Sequence, residues 1–567
     1  MGAVLLAASC APTTGTRPSG QSPSAGEAPA ATTPSRTLRI AFQGFEEPKS
    51  GVINYGGVSA FDPLEHFLVF HASLTTYDPK GQLIPRLAEK VPTIQDGDWK
   101  TLPDGTMDVT WKLKPSAKWQ DGKPLRAEDF VFGLDVLRDP EVPVSRPAWL
   151  SLVSTAEAVD SQTLVIHWKQ QSFLAGGLGG ADIPAIPVHI LSDLYQTGDK
   201  HAFVNSTFWT TDFIGLGPYK LAQWQRGSFI EGLAFDGFVL GKPKIERILL
   251  TYIGDVNAIV GSILSGDMDM VPMGARFDAT QLMAVQNGWG PDGGMTMLVP
   301  FGVRTVWLQF RDPNAPWVRD IRIRRAMAHS TDRQGMSDAL QYGMTTPADT
   351  FLLAEDSGYP AVERAGLARY PYDVDRARQL MAEAGWTLGG DRMLRDAAGQ
   401  PLTVDLSATG QGSNLEEIQT VSDQWRGVGF QASPVPLPPQ AGDLDEKKNT
   451  VKGGFVWPWT PSPFAPQNLS SGQIPTDRTA WKGANYSGYN NAAYDEMYRR
   501  FTTTLDTAPR QQVQAEIMAH IADEVPLIPI YYYGNGVIAR KGLSGPAMIS
   551  PYQTSSLWNL HTWTWQS

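Results

Sequence analysis

Met107-Asp-Val-Thr-Trp-Lys-Leu113, followed by Lys118-Trp-Gln-Asp-Gly-Lys-Pro-Leu-Arg-Ala-Glu-Asp-Phe-Val-Phe132, decides the reading of this chain. In the first run Val109, Trp111 and Leu113 fall on one face, the alternation of a half-buried strand. In the second, Asp121-Gly122 after Trp119 reads as a tight turn, with the glycine supplying positive φ. Glu128 and Asp129 then fall in the first turn of a helix, where acids favour the helix dipole. Adjacent side chains diverge on a helix, so these two acids are not a catalytic carboxylate pair.

Working outward, strands and helices keep alternating. Thr37–Phe42 and Thr163–Trp168 read as strands. Ile248–Ile253 reads as a buried strand leading into a helix near Val256–Leu264. Asp373 is a fitting N-cap for a helix to Ala384, and Gly385 suits its stop. Pro401–Leu406 follows as a strand and Leu415–Trp425 as a helix. This order is mixed α/β, with no internal repeat of fixed period.

The 567 residues are 42% hydrophobic and 19% charged, enough apolar content for a large packed core. A net charge of −11 lacks the basic footprint of a nucleic-acid binder. No run of about 18 apolar residues is present to span a bilayer. The single cysteine excludes an internal disulfide and a CxxC metal or redox motif. It is Cys10, at the end of Met1-Gly-Ala-Val-Leu-Leu-Ala-Ala-Ser-Cys10. That stretch resembles the end of a bacterial lipoprotein signal peptide, whose cysteine sulfur takes a diacylglycerol. Ala7 stands where a large aliphatic residue is usual, and no Lys or Arg precedes the apolar run; a start codon called too late accounts for both. Ala11 to Ser35 is almost wholly Ala, Pro, Thr, Ser and Gly, which reads as a flexible tether spanning roughly 25–30 Å.

Several segments, in order, resemble the family 5 extracellular solute-binding proteins, the peptide and oligopeptide receptors of ABC importers. They are Tyr77-Asp-Pro-Lys-Gly-Gln-Leu-Ile-Pro-Arg-Leu-Ala-Glu89, the Lys118–Phe132 run, Gly215-Leu-Gly-Pro-Tyr-Lys-Leu221 with Trp224, and Ser265-Gly-Asp-Met-Asp269. Asp320-Ile-Arg-Ile-Arg-Arg-Ala326 with Asp332-Arg333, Tyr372–Leu380 with Glu383-Ala-Gly-Trp386, and Asp523-Glu-Val-Pro-Leu-Ile-Pro-Ile-Tyr531 complete the series. The resemblance implies a two-lobed periplasmic-binding-protein-like α/β fold with an extra subdomain on lobe I and a cleft between lobes. On that map residues 1–10 are the signal-like segment and 11–36 the tether. Lobe I is 37–300, with the subdomain at about 62–185; lobe II is 301–529, and 530–567 returns to lobe I. The implied function is capture of a peptide-like or other oligomeric solute by closing lobes and delivery to the permease subunits of an ABC importer. The implied setting is extracytoplasmic, a monomer held on the membrane by lipid at Cys10. Most of the motifs also have a purely structural reading; Arg324 and Arg325 are expected in surface or interlobe ion pairs.

Peptide-binding relatives typically carry an Asp in a W-x-x-D-x-x-x-P-like segment of lobe II, whose carboxylate pairs with the peptide α-ammonium. Here that region reads Gly453-Gly-Phe-Val-Trp-Pro-Trp-Thr-Pro-Ser-Pro463, with no acid. Trp457 and Trp459, with Phe455, offer flat apolar platforms that suit aromatic groups, sugar rings or cations, which keeps an oligosaccharide open as the ligand. Family geometry adds Tyr55, Trp307, Asn485 and Tyr486 as candidate ligand contacts. Glu46 and Glu47 could supply charge near the cleft. Tyr531, Tyr532 and Tyr533 are expected on a returning strand, with alternate rings on opposite faces.

The common catalytic motifs are missing. No two of the eight histidines have HExxH spacing, and GxSxG is absent. Gly410-Gln-Gly-Ser-Asn-Leu is neither GxGxxG nor a P-loop. His66 and His71 lie five apart, a poor fit to one helical face; they are considered only because some related receptors capture nickel complexes. The expectation is a non-enzyme without cofactor or metal, with a secreted hydrolase of the two-carboxylate kind as the competing reading.

Overall fold

Two long strands organise the rest of the molecule. Gly294–Leu308 and Leu527–Arg540 run antiparallel, from Gly294 opposite Arg540 to Trp307 opposite Leu527. The computed structural model describes residues 37–44, 63–143, 146–177, 183–275, 277–410, 413–439, 441–546 and 555–566. Cys10, Glu46, Glu47 and Tyr55, with segments 1–10 and 11–36, lie outside them.

The long pair sits inside a ten-stranded sheet. The order is Gln431–Leu437, Thr403–Thr409, Gly453–Trp459, Gly294–Leu308, Leu527–Arg540, Met270–Val271, Leu38–Gln43, Arg247–Ile253, Phe229–Ala234 and Tyr219–Gln225. Strands from the first half of the chain therefore lie on one side of the pair, and those from 403–459 on the other. Register shifts at Pro300/Gly302 and Val303/Thr305 interrupt the pair near its middle. Such irregularities bend a strand and increase its twist.

On the first side, Leu38–Gln43 pairs in parallel with Arg247–Ile253. Parallel strands require a crossover, and this one contains a separate four-stranded sheet. Its strands are Trp99–Thr101, Met107–Lys112, Thr163–Trp168 and Val153–Asp160 in spatial order, with helix Ala127–Arg138 packed on it. Asp269, fully buried, takes Arg39 bidentately at 2.8 and 2.9 Å, which ties the Ser265–Asp269 motif to the first strand. On the other side, Thr403–Thr409, helix Asn414–Val428 and Gln431–Leu437 form a parallel βαβ unit. Ile418, Val421, Trp425 and Val428 bury one stripe of that helix. Pro434 and Pro436 sit on the edge strand, where a missing N–H is tolerated.

The opening motif folds as a hydrogen-bonded knot. Gly122 has φ 92° and closes the turn with N–H to Trp119 O at 2.9 Å. Asp129 is more than a dipole partner. Its Oδ2 accepts from Trp119 Nε1 and Arg126 N, each at 3.0 Å, and its Oδ1 from Val188 N at 3.0 Å. Burial pushes its pKa up while these donors hold it down. Gln120 Nε2 donates to Gly217 O at 3.1 Å and Tyr219 O at 2.7 Å, and Oε1 accepts from Gly215 N at 3.0 Å. A Cβ on Gly217 would stand 2.4 Å from His71 N, so only glycine lets this loop meet the end of helix Pro63–Phe70.

One expectation is corrected. Arg324 is not at the surface: it is 4% exposed, with Nη1 donating to Trp317 O at 2.6 Å and Nε to Glu524 O at 2.7 Å. An ion pair does form, from Nη2 to Glu524 Oε2 at 3.3 Å, but it is buried on the arginine side and joined by two main-chain carbonyls, one of them 200 residues on, so Arg324 braces a helix corner. The helix expected to start at Asp373 does so: Val374–Glu383 is capped by Asp373 Oδ1 accepting from Arg376 N at 2.8 Å.

Candidate functional site

Strand Gly453–Trp459 is squeezed between Thr403–Thr409 and Gly294–Leu308. A Cβ on Gly453 would lie 2.4 Å from Asp405 O, and one on Gly454 would lie 2.8 Å from Val306 Cγ1. The two glycines thus admit close strand approach. Parallel pairing on one edge ends at Phe455 opposite Ser407, so Pro458 lies beyond it and forfeits no bond there. Alternation then puts Phe455, Trp457 and Trp459 on one face and Val456 in the core of the other.

That face is an aromatic stack. Trp307 lies against Trp459 with centroids 5.6 Å apart and planes at 23°. Trp457 stacks on Phe455 at 5.6 Å and 17°. Tyr486 stands edge-on to Trp307 at 5.4 Å and tilts against Phe455 at 5.7 Å. Trp307 Nε1 donates to Trp457 O at 3.0 Å, which locks the two strands side by side. Phe455, Trp307 and Trp459 are buried; Trp457 and Tyr486 are partly exposed. Asn485 is fully buried. Its Nδ2 donates to Leu469 O, Ser470 O and Tyr489 O at 2.9–3.0 Å, and Oδ1 accepts from Ser487 Oγ at 2.9 Å. It shapes the loop that carries Tyr486.

Lys448 brings a positive charge to this face. Its Nζ lies 6.0 Å from the Trp457 ring centre and 5.8 Å from that of Tyr486, and it pairs with Asp445 at 2.9 Å. Lys482 also pairs with Asp445, and the two lysines hold that carboxyl below the usual range. Burial, then the Asp445 charge, pushes the Tyr486 hydroxyl up.

Sequence reasoning missed a second feature nearby. Arg304 is buried on strand Gly294–Leu308; its Nη2 donates to Glu417 Oε2 and, at 2.7 Å, to Asn414 Oδ1. Tyr531 OH donates to the other Glu417 oxygen. Tyr531 and Tyr532 do point to opposite sides, since Tyr532 OH donates to Leu352 O at 2.9 Å in another cluster. Nothing in the spacing marks Arg304 and Glu417 as partners 113 residues apart.

The two histidines weighed for nickel are placed structurally. His71 Nε2 donates to Ala185 O and Nδ1 accepts from Leu216 N, each at 3.1 Å, and burial drives its pKa down to about 3. His66 shares a 2.7 Å hydrogen bond with Tyr252 OH. Among the described residues no group of three or more His, Cys, Asp or Glu is arranged to hold a metal, and no helix is long and apolar enough to cross a membrane.

Two sheet flanks joined by crossing strands, with an added subdomain, define the class: a two-lobed, periplasmic-binding-protein-like α/β fold. The oligopeptide-binding protein of Thermus thermophilus, solved with a pentapeptide, superposes with TM-score 0.71 at 20% identity, covering 93% of this chain and 96% of that one. In sequence, the chain is 24% identical to the oligopeptide-binding protein AppA of Bacillus subtilis over 519 residues, 90% of this chain and 88% of AppA. It is also 24% identical to the nickel-binding periplasmic protein of Escherichia coli over 490 residues, 83% of this chain and 85% of that one. The family "Bacterial extracellular solute-binding proteins, family 5 Middle" matches residues 82–478, and this chain belongs to it. It is a solute-binding receptor of ABC importers, in a family of binding proteins.

Proposed function

We propose that this receptor captures short peptides or peptide-like solutes against the Trp457–Tyr486 face. Lobes spanning about 37–300 and 301–529 close over the solute, with the subdomain at about 62–185 and a return over 530–567. The closed complex docks on permease subunits. Closure excludes water, which strengthens each polar contact to the solute. The observation that carries the ligand reading is the partly exposed pair Trp457 and Tyr486, backed by the buried Trp307, Phe455 and Trp459 and flanked by Lys448. A rigid aromatic face takes apolar side chains at low entropic cost. An oligosaccharide would use the same flat faces, but the relatives described above are named for oligopeptides and nickel.

Gly453–Pro463 contains no carboxylate, so no acid of that strand meets a free amino terminus. A thermal-shift screen of di- to pentapeptides, oligosaccharides and nickel chelates tests the reading, because a solute that binds only the folded state raises Tm by mass action. Peptides are expected to shift Tm, and acetylating their amino termini to change affinity little. A response to sugars or chelates alone rejects the peptide reading. Release of product from any of these compounds during incubation would show an enzyme instead.

The proposal extends to the N-terminus. Cys10 is the lipid attachment site of a monomer held at the outer face of the membrane. Expressed with its full leader, the wild-type chain should partition into detergent and Cys10→Ser should not; equal partitioning of the two removes the anchor.

A further inference from the structure

Phe173 joins parts of the chain that the main sheet keeps apart. It opens the short turn Phe173–Gly176, just after strand Thr163–Trp168 of the small sheet. The turn is pinned to that sheet's core. Leu174 and Ala175 are buried there, and a Cβ on Gly176 would lie 3.0 Å from Trp99 Cζ3. Gly177, at φ 124°, lies so close that its Cβ would be 3.0 Å from Thr75 Oγ1. Phe173 packs against this core and against the cluster across from it. The ring meets Phe501 of helix Ala492–Thr503 edge-on at 5.2 Å, and the Arg510 guanidinium lies 4.4 Å from its centre.

The receiving side is equally fixed. Arg510, on helix Thr507–Glu524, donates from Nη1 to Leu505 O at 2.6 Å and Thr504 O at 3.1 Å, which holds its plane over the ring. Phe501 is buried in the cluster that also contains Trp307, Phe455 and Trp459. The contact is reciprocal, since Phe464 and Leu505 pack against the small-sheet cluster in turn. Each partner is anchored in its own core, and among the described residues the partly buried Phe173, Phe464 and Leu505 and the buried Phe501 meet between them. That is the build of a contact that can separate without unfolding either side.

We propose that Phe173, seated between Phe501 and Arg510, is an interlobe latch that stabilises the closed receptor and thereby raises affinity without touching solute. The inference rests on the two-lobed closing mechanism but on no particular solute. Apparent affinity scales with the fraction of molecules in the binding-competent state, so a contact made only on closure sets that fraction. An arginine over an aromatic face adds a cation–π contact, partly shielded from water, that forms only when the lobes meet.

The test is an interlobe distance measured without solute. Spin labels at Glu128→Cys and Ala493→Cys, both exposed positions, are read by pulsed dipolar spectroscopy in the full chain carrying Cys10→Ser. The parent should show a short-separation population. Phe173→Ala should lower its share about tenfold, Arg510→Gln should lower it less, and Phe173→Tyr should retain it. Near-ultraviolet circular dichroism checks that each variant is folded; if Phe173→Ala is not, Arg510→Gln carries the comparison. A parent with only the long separation, or folded variants with the parent's distribution, overturns the latch. Because no solute is present, failure of the peptide assignment leaves this measurement intact, and failure of the latch leaves the peptide assignment intact.

Discussion

The knot around Gln120 and the aromatic face around Trp457 are built on opposite principles. In the knot every polar group named above is occupied: Asp129 serves three donors, Gln120 joins two loops and His71 has both ring nitrogens bonded. Nothing is left over to meet a solute. At the aromatic face the polar groups are few, and Trp457 and Tyr486 keep part of their surface uncovered. The segments that resemble a family most strongly are therefore those that bind themselves, and the region able to bind something else is where the family pattern breaks down. Family motifs identify the scaffold; departures from them point to the ligand.

The sharpest way to break the comparison is Gly217→Ala. Its Cβ would stand 2.4 Å from both atoms of the Phe70–His71 peptide bond and 2.6 Å from Val69 O, backbone that cannot rotate away. Overpacking against backbone of this kind should cost about 3 kcal/mol or more, and the loss of the cooperative melt in urea measures it. A near-normal melt would show that the knot can shift as a unit. The tryptophan pair comes next, because it separates the two principles within one strand. Trp459 is 1% exposed, so Trp459→Ala should lower stability by about 3–5 kcal/mol. Trp457→Ala should leave most of the stability and lower solute affinity about tenfold, read by titration with a peptide from the screen. If Trp457→Ala proves as destabilising as Trp459→Ala with unchanged affinity, Trp457 belongs to the core.

How much of this is legible in the sequence depends on the range of the interaction. Alternation in Met107–Leu113, the Asp373 cap and the turn at Gly122 are local, and each is found within a residue or two of its expected place. The small sheet's core follows from the same alternation. Arg324 misleads because four charges in Asp320–Arg325 look solvated, whereas its exposure depends on the carbonyl of Glu524, 200 residues away. The Arg304–Glu417 pair and the Phe173 contact are likewise set by topology. Within the candidate face, the aromatic content of Gly453–Trp459 is readable. Which rings are covered is not, since Trp307 and Phe351 arrive from other strands and loops.

The knot also predicts a pH response that the aromatic face should not share. His71 has a folded pKa near 3 against about 6.5 unfolded, so the unfolded chain takes the proton first. Its contribution is intact above pH 6.5 and is lost progressively as pH falls toward 3, by about 2 kcal/mol at pH 5. His561, driven down to about 4 by burial, acts in the same direction. Glu65, whose carboxyl burial pushes up, acts in the opposite one: its contribution is full below its unfolded pKa and fades as pH rises through the folded value. Comparing urea melts at pH 7 and 5 for wild type and His71→Asn isolates the histidine. The variant should lose less on acidification, and an identical loss would assign the pH dependence elsewhere.

The smallest effect tests what kind of charge the aromatic face prefers. Lys448 is mostly covered and sits over both partly exposed rings, but Asp445 neutralises much of it and shares a second lysine. Cation–π and screened ion-pair contributions of this kind are worth about 0.5–1 kcal/mol, two- to fivefold in affinity. Lys448→Gln should therefore weaken acidic peptides and strengthen basic ones by comparable small factors. Both changes should shrink as salt is raised. A uniform loss across acidic, neutral and basic peptides would mean that Lys448 acts through the position of Trp457 and Tyr486, which would make the face a shape filter whose selectivity lies in side-chain size.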